Sequence, residues 1–337
     1  MGERPNWFQA YDAALLPALG HHGLVDVLAG AESCGALAAL REPLTVDQLA
    51  DVTGLSPARA QALTDVLSTY EVVEAEGRGH RLTTAWQVLM LPEAFATLAD
   101  TLAAARVEGR LLRDAAGGAD YWTMPSEDRL VFARAVSPNP FSPALVDGFR
   151  AQLAQDPDSA ALAAGGRLLE LGCGVAGRVL TMLQALPGMS AVGVELSVDL
   201  AAEARRRADE LGVADRFEVV CSDAAEFSRP AWFDVAFWSQ FFFPEDARAA
   251  ALRTLHDSLR SGGLAHAPLM GDDEAGQLDP HGAEARRRAT FRLILDGWGV
   301  PDRDRDQLAE EFTGAGFVDV RFVGGNGAPI RLVARKP

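Results

Sequence analysis

Short apolar segments alternate with longer amphipathic ones from residue 167 onward. The apolar segments have the length of strands, and the segments between them carry apolar residues at helical spacing. Parallel strands need crossover connections, which are usually helices, so this alternation predicts an α/β fold with a parallel sheet. The predicted strands are Arg167–Leu171, Ala191–Glu195, Phe217–Val220, Phe233–Trp238 and Gly263–Pro268, and the predicted helices are Arg178–Leu186, Leu200–Leu211 and Asp246–Leu259. Residues 316–323 and 330–334, separated by a glycine-rich turn, predict a closing antiparallel hairpin.

The N-terminal segment has the pattern of a mostly helical module. Thr45 is a predicted N-cap, and Ser56 followed by Pro57 predicts the start of a second helix. Residues 72–73 and 81–83, with a glycine turn between them, predict a two-stranded wing. The order of these elements indicates a winged-helix-like domain, which serves either DNA binding or, as a scaffold, dimerisation.

Composition and charge narrow these alternatives. The chain has 337 residues, 48% of them apolar, and carries 31 basic against 47 acidic residues, a formal net charge of −16. Residues 1–90 hold five arginines, no lysine and eleven acids. Nucleic-acid binding depends on cations that neutralise phosphates, so we expect no nucleic-acid partner. The chain shows no long apolar run and only three scattered cysteines, so we expect a cytoplasmic protein without a membrane partner.

Composition breaks divide the chain into three predicted parts. Residues 1–92 form the winged-helix-like dimerisation domain, and residues 158–337 form the sheet domain. Between them, residues 93–157 are predicted to be a helical connector that contributes to the substrate pocket. Its end is marked by a proline-rich stretch at 137–143 and by the Asp-Pro-Asp sequence at 156–158.

The candidate chemistry lies at the ends of the first three predicted strands. Gly172, Gly174 and Gly177 follow the first strand, where they permit a tight turn and a close ligand approach. Glu170 precedes this turn; its carboxylate would repel a pyrophosphate but suits an ammonium group. Glu195 closes the second strand, where a carboxylate can hold ribose hydroxyls. Asp223, after the third strand, can accept a bond from an adenine amine. An amine, a ribose and an adenine without phosphate fit S-adenosylmethionine better than NAD.

On these motifs the sequence resembles the class I S-adenosylmethionine-dependent methyltransferases, specifically small-molecule enzymes with an N-terminal winged-helix dimerisation domain. The resemblance spans nearly the whole chain. It implies a Rossmann-like seven-stranded methyltransferase sheet with a C-terminal antiparallel hairpin, preceded by the mostly helical domain. It also implies roles for single residues. Gly172 and Gly174 would approach the methionyl group with Glu170 supporting the loop, Glu195 would hold the ribose, and Asp223 with Ala224 would bracket the adenine. Trp238, Ser239 and Gln240 would border the methyl-transfer pocket.

The sequence departs from the family pattern after the fourth strand. Many O-methyltransferases of this architecture carry a His-Asp-Trp element there, whose histidine is the general base, whereas residues 240–246 contain no histidine. His266, in the fifth strand, is the first candidate base, with a buried core histidine as the alternative. His21 and His22 are further candidates. No set of residues has metal-ligand spacing. Aromatic side chains are predicted to line the substrate pocket: Tyr121, Trp122, Phe241, Phe242 and Trp298.

These observations predict a homodimeric small-molecule methyltransferase of specialised metabolism, with an aromatic compound or a keto acid as methyl acceptor. The acceptor atom, carbon, oxygen or nitrogen, stays open. One alternative is a decarboxylation, hydroxylation or cyclisation on the same fold and cofactor site. Another is a ligand-sensing winged-helix regulator, which the charge of residues 1–90 disfavours.

Overall fold

The computed structural model describes residues 23–92, 94–114, 121–269, 281–325 and 328–337, together with Gln9, Tyr11 and Asp279. The chain divides into two compact units, residues 1–106 and 107–337. Helix α6 (Leu98–Asp114) runs across this division. No helix among the described residues is long and apolar enough to span a membrane.

The first unit consists of short helices and one hairpin. Thr45 caps its helix through a capping box with Gln48, and Ser56 accepts a hydrogen bond from the Arg59 amide, so both predicted N-caps are present. The hairpin, predicted as the wing, pairs Val73 with Leu82 in an antiparallel register. The elements are α1 (Leu24–Ser33), α2 (Ala36–Ala39), α3 (Val46–Thr53), α4 (Pro57–Thr69), β1 (Val73–Glu76), β2 (Gly79–Leu82) and α5 (Thr84–Leu89).

The second unit is built on the predicted seven-stranded sheet. Its strands are β3 (Arg167–Leu171), β4 (Ser190–Glu195), β5 (Phe217–Cys221), β6 (Phe233–Trp238), β7 (Leu259–Pro268), β8 (Val318–Gly325) and β9 (Ala328–Arg335). Their order across the sheet is β5-β4-β3-β6-β7-β9-β8. Strands β3 to β7 are parallel, and β9 runs antiparallel to both of its neighbours, which confirms the fold class and its closing hairpin.

One predicted strand begins earlier than its apolar pattern indicates. Strand β7 starts at Leu259 rather than at Gly263, because Leu259 already pairs with Phe233. The register then shifts, and Gly262 adopts a positive φ of 79° within the irregularity, as glycine does without a steric penalty. An irregular strand of this kind has no clear alternation, so its start was not visible in the sequence.

Helices cover both faces of the sheet. The helices of this unit after α6 are α7 (Ser126–Ala135), α8 (Pro143–Gln155), α9 (Ala160–Ala163), α10 (Gly177–Ala185), α11 (Val198–Glu210), α12 (Glu245–Ser258), α13 (Ala283–Gly297) and α14 (Arg305–Gly314). On one face, α10 and α11 pack on strands β3 to β5, with Leu180 and Ala204 fully buried in that layer. On the other face, α12 and α14 pack on β6, β7 and β9, with Leu255 and Phe312 fully buried.

Candidate active site

The turn after β3 is shaped by backbone conformations that glycine favours. Gly172 has a φ of 73° and Gly174 a φ of 56°. A Cβ atom at Gly172 would lie 2.9 Å from Cε2 of Phe243, so no larger residue fits there without a shift. The Gly172 amide donates to the Val194 carbonyl at 2.9 Å, which ties the turn to the end of β4. The two strand ends where the ligand-binding residues were predicted are therefore joined by direct bonds.

Glu195 is the centre of this arrangement. Its carboxylate is buried, and it accepts hydrogen bonds from the Gly174 amide at 2.8 Å on Oε2 and from the Ser197 amide at 2.9 Å on Oε1. Burial raises the pKa of Glu195, and these backbone bonds oppose the rise. The Leu196 amide also bonds this carboxylate. A carboxylate has about four acceptor positions, so it can still take a ligand hydroxyl. Glu195 fits the role of the ribose-binding residue.

Glu170 lies on β3 just before the turn, and it is also buried. Its Oε2 atom has no hydrogen-bond partner, and Nη1 of Arg178 lies 3.6 Å away. The Arg178 guanidinium stacks over the ring of Phe237 at 3.9 Å. Burial raises the pKa of Glu170 to about 7, with Arg178 opposing the rise. A buried carboxylate oxygen without a partner is an unmet acceptor, and a ligand ammonium group would satisfy it.

The turn after β5 completes the cofactor side. The Ser222 amide donates to the Glu195 carbonyl at 3.1 Å, so this turn is bonded to the end of β4. Asp223 is exposed and accepts from the Ala225 amide at 2.8 Å, and Ala224 is buried. The three strand ends predicted to hold a methionyl group, a ribose and an adenine thus follow one another along a single sheet edge. The residues present fit S-adenosylmethionine.

A cluster of aromatic rings brings together most of the predicted pocket residues. The ring centroid of Tyr121 lies 5.1 Å from those of Trp122 and Trp298 and 6.3 Å from that of Phe242. Phe132 joins the cluster at 5.6 Å from Trp298. Burial raises the pKa of the Tyr121 hydroxyl, and the Glu195 carboxylate adds to the rise. Ser197 donates its amide to Glu195 and its hydroxyl to Asp199, and Asp199 also accepts from Ser126, five residues after Tyr121. Hydrogen bonds therefore connect the end of β4 to the segment that carries Tyr121.

The structure places the side chains of two predicted site residues elsewhere. Trp238 is the last residue of β6 and is fully buried among Phe243 and Phe312, on the face covered by α12 and α14. Gln240 is also buried, and its side chain donates to the Pro268 carbonyl and accepts from Arg248. Neither side chain is open to a ligand. The backbone of Ser239 does border the turn, since its amide donates to the Leu171 carbonyl.

His266 has none of the properties of a general base. It lies inside β7, two positions before the strand ends, and is 4% exposed. Burial lowers the pKa of His266 to about 3, and Arg178, Arg331 and Arg321 lower it further. A base works best with a pKa near the operating pH and within reach of the substrate. His266 is placed as a buried neutral core histidine, the alternative considered from the sequence. His21 and His22 lie outside the described residues.

Two groups that shape the site were missed in the sequence. Arg248 on α12 is buried and binds Glu311 through Nε at 2.9 Å, and it binds the Gln240 carbonyl through Nη1 at 3.2 Å. Asp199 on α11 accepts from Ser126 and Arg129 on α7. Both connect residues far apart in the chain, so no local pattern marks them.

Phe241, predicted for the pocket, is partly exposed in a short 3-10 turn, Gln240–Phe242. Within the described residues no cluster of His, Cys, Asp and Glu could hold a metal ion.

A family model and one relative match the chain by sequence. A family model described as a methyltransferase domain matches residues 168–263. Over 100 residues the chain is 34% identical to the uncharacterised protein YjhP of Escherichia coli strain K12. That match covers 30% of this chain and 40% of YjhP, so the chain spans well under half of that relative.

Solved structures match over almost the full length. The mitomycin 7-O-methyltransferase MmcR is 20% identical, with a TM-score of 0.67 over 97% of this chain and 98% of that one. Human N-acetylserotonin methyltransferase, solved with S-adenosylmethionine, is 16% identical, with a TM-score of 0.66 over 100% and 99%. Likeness at these identities establishes the fold. The chain therefore matches a methyltransferase domain at residues 168–263 and has the fold of these solved methyltransferases.

Proposed function

We propose that this chain transfers the methyl group of S-adenosylmethionine to a small, planar acceptor, an aromatic compound or a keto acid of specialised metabolism. The cofactor supplies an electrophilic methyl carbon on a sulfonium. The observation that carries the proposal is the position of Glu195, whose carboxylate accepts hydrogen bonds from Gly174 in the glycine turn and from Ser197. Through Ser197 and Asp199, the same strand end is bonded to α7, which follows Tyr121 of the aromatic cluster. We take this carboxylate as the ribose-binding group and the aromatic cluster as the acceptor side of the same unit.

The protein contribution to such a reaction is mainly positioning. Displacement at a methyl carbon needs an aligned nucleophile, and the protein supplies a base only if the acceptor must lose a proton. Residues 239–246, directly after β6, contain no histidine, and His266 is buried within its strand. This favours an acceptor whose nucleophile is already unprotonated at neutral pH, such as an aromatic amine, or a phenol or enol acidic enough to be ionised at that pH.

The absence of a histidine from residues 239–246 also favours a second candidate function. In it the fold binds the cofactor but catalyses decarboxylation, hydroxylation or cyclisation. The two candidates differ in the fate of the cofactor, because only methyl transfer converts S-adenosylmethionine to S-adenosylhomocysteine.

The test is incubation with cofactor carrying an isotope-labelled methyl group and a panel of phenols, keto acids and aromatic amines. Methyl transfer predicts labelled product and S-adenosylhomocysteine in equal amounts, and both should be lost in Glu195→Ala. An altered acceptor with no S-adenosylhomocysteine would support the second candidate instead. Tight cofactor binding without any product from a broad metabolite extract would contradict both enzymatic functions.

Assembly and location belong to the same proposal. Its resemblance to dimeric methyltransferases supports a homodimer formed through residues 1–92, and a cytoplasmic location would give the protein direct access to its cofactor. Light scattering of the purified chain should give twice the monomer mass of 35.9 kDa. A monomer at micromolar concentration would contradict the dimer.

A further inference from the structure

Asp199 collects hydrogen bonds from two distant parts of the second unit. It lies in the first turn of α11, four residues after Glu195. Its Oδ2 accepts from the Ser126 hydroxyl at 2.5 Å and from Nη2 of Arg129 at 3.0 Å, both in α7. Its Oδ1 accepts from the Ser197 hydroxyl. Bonds between an ionised carboxylate and a guanidinium are among the stronger hydrogen bonds in proteins.

Arg129 carries this connection into the segment that precedes α7. Its side chain is 15% exposed, and Nη1 donates to the Met124 carbonyl at 2.5 Å. We call residues 121–129 the cap segment. It begins with Tyr121, whose ring belongs to the aromatic cluster, and ends at Arg129. The carboxylate of Asp199 therefore reaches the main chain of the cap segment through a single guanidinium.

On its other side, Asp199 is joined to the cofactor loop. The Ser197 hydroxyl donates to Asp199, while the Ser197 amide donates to the carboxylate of Glu195 at 2.9 Å. Burial acts to raise the pKa of Asp199, but hydrogen bonds from Ser126, Ser197 and Arg129 hold it at about 2. The carboxylate is thus ionised, and the connection intact, over the whole neutral range.

We propose that Asp199 is a positioning residue that ties the cap segment to the Glu195 loop, and so keeps the aromatic cluster in place beside the cofactor. This inference rests on the proposed function. In this role Asp199 contacts neither cofactor nor acceptor. It acts through Ser197 on the cofactor side and through Ser126 and Arg129 on the acceptor side. Cofactor binding and order in the cap segment are therefore coupled.

The experiment compares Asp199→Asn with Asp209→Asn, an exposed acid at the other end of the same helix. The asparagine keeps the shape of Asp199 but removes its charge, and the side chain is only partly buried, so folding should be retained. We expect amide hydrogen exchange in residues 121–135 to rise at least tenfold in Asp199→Asn. Exchange in β3, β4 and β6 should not change. The dissociation constant for S-adenosylmethionine should rise about tenfold, with no change for Asp209→Asn.

A second variant approaches the tie from its other end. If Asp199 acts through Arg129, then Arg129→Gln should reproduce the exchange pattern, and the double variant should lose less than a further twofold in cofactor affinity. Fully independent, multiplying effects would overturn the proposal, as would unchanged exchange in the cap segment. Faster exchange with unchanged cofactor affinity would overturn the coupling. If the unsubstituted protein binds no S-adenosylmethionine, the proposed function fails instead, and the exchange measurement still decides whether Asp199 holds the cap segment.

Discussion

The proposed cofactor side and the proposed acceptor side of the second unit are built in different ways. On the proposed cofactor side, Glu170, Gly172 and Glu195 lie at the ends of neighbouring strands, and main-chain amides of the turns donate to the Val194 carbonyl and to the Glu195 carboxylate. On the acceptor side, Tyr121, Phe242 and Trp298 come from three separate stretches of chain and meet only through side-chain packing. The proposed cofactor side is held mainly by bonds from main-chain amides. The proposed acceptor side is held by contacts between side chains, which other apolar side chains could also make.

This difference implies different tolerances to substitution. The bonds between the strand ends are made by main-chain amides, but they require the Glu195 carboxylate and the glycine at position 172, so the cofactor side tolerates few substitutions. Aromatic rings contact each other with loose angular preferences, and a changed ring reshapes the pocket without disturbing the sheet. We therefore expect cofactor affinity and overall stability to respond to different residues.

The largest expected effect concerns the buried arginine behind the acceptor side. Arg248→Met removes the hydrogen bonds that the guanidinium donates to the Glu311 carboxylate and to the carbonyl and side-chain oxygens of Gln240. Glu311 then keeps its bond from Arg303, so we expect a loss of about 3 kcal/mol in the free energy of unfolding. Chemical denaturation measures this loss, and Arg253→Met, an exposed position on the same helix, should change stability little. A loss below 1 kcal/mol would show that the network does not hold the segment after β6.

The sequence predicted the strand ends and the glycine turn of this sheet edge for a physical reason. Strand ends and glycine turns are local features, so the positions of Glu195 and of the turn after β3 followed from periodicity alone. The acceptor side depended on long-range contacts. The burial of Gln240 required Arg248 on a later helix, and the isolation of His266 required knowledge of which sheet face it occupies. Trp238 was misplaced because an aromatic residue at a strand end can face either layer.

The next effect concerns Glu170, whose raised pKa of about 7 makes its contribution to stability depend on pH. The folded state holds the proton more tightly than the unfolded state, so this contribution is full below about pH 4.5 and is lost as pH rises through 7. Glutamine at position 170 has no proton to lose, so the free energy of unfolding of Glu170→Gln should not fall in this way. Measured against the unsubstituted protein, it should rise by about 2–3 kcal/mol between pH 4.5 and pH 7. Denaturation series at several pH values measure the gain, with the exposed Glu218→Gln as control. Parallel pH profiles for both proteins would contradict the prediction.

A smaller effect is expected at the glycine turn, where two variants distinguish the cost of a positive φ from the cost of a steric clash. Gly172→Ala and Gly212→Ala both place alanine at a positive φ, which costs about 1 kcal/mol. Only at Gly172 does the new Cβ approach another group, the ring of Phe243. Gly172→Ala should therefore lose about 1 kcal/mol more than Gly212→Ala, and it alone should weaken cofactor binding. Calorimetric unfolding and cofactor titration of the pair test this, and equal losses with equal affinities would contradict it.

Titration calorimetry of S-adenosylmethionine into the unsubstituted protein, Glu195→Ala and the exposed control Glu226→Ala tests the cofactor site most directly. Glu195 is expected to accept ribose hydroxyls on its buried carboxylate, and each hydrogen bond to a carboxylate contributes about 1.5–3 kcal/mol. We expect one cofactor per chain, an affinity about a hundredfold weaker in Glu195→Ala, and no change in Glu226→Ala. Binding that is absent from the unsubstituted protein, or unaffected by Glu195→Ala, would contradict the cofactor site described for this sheet edge.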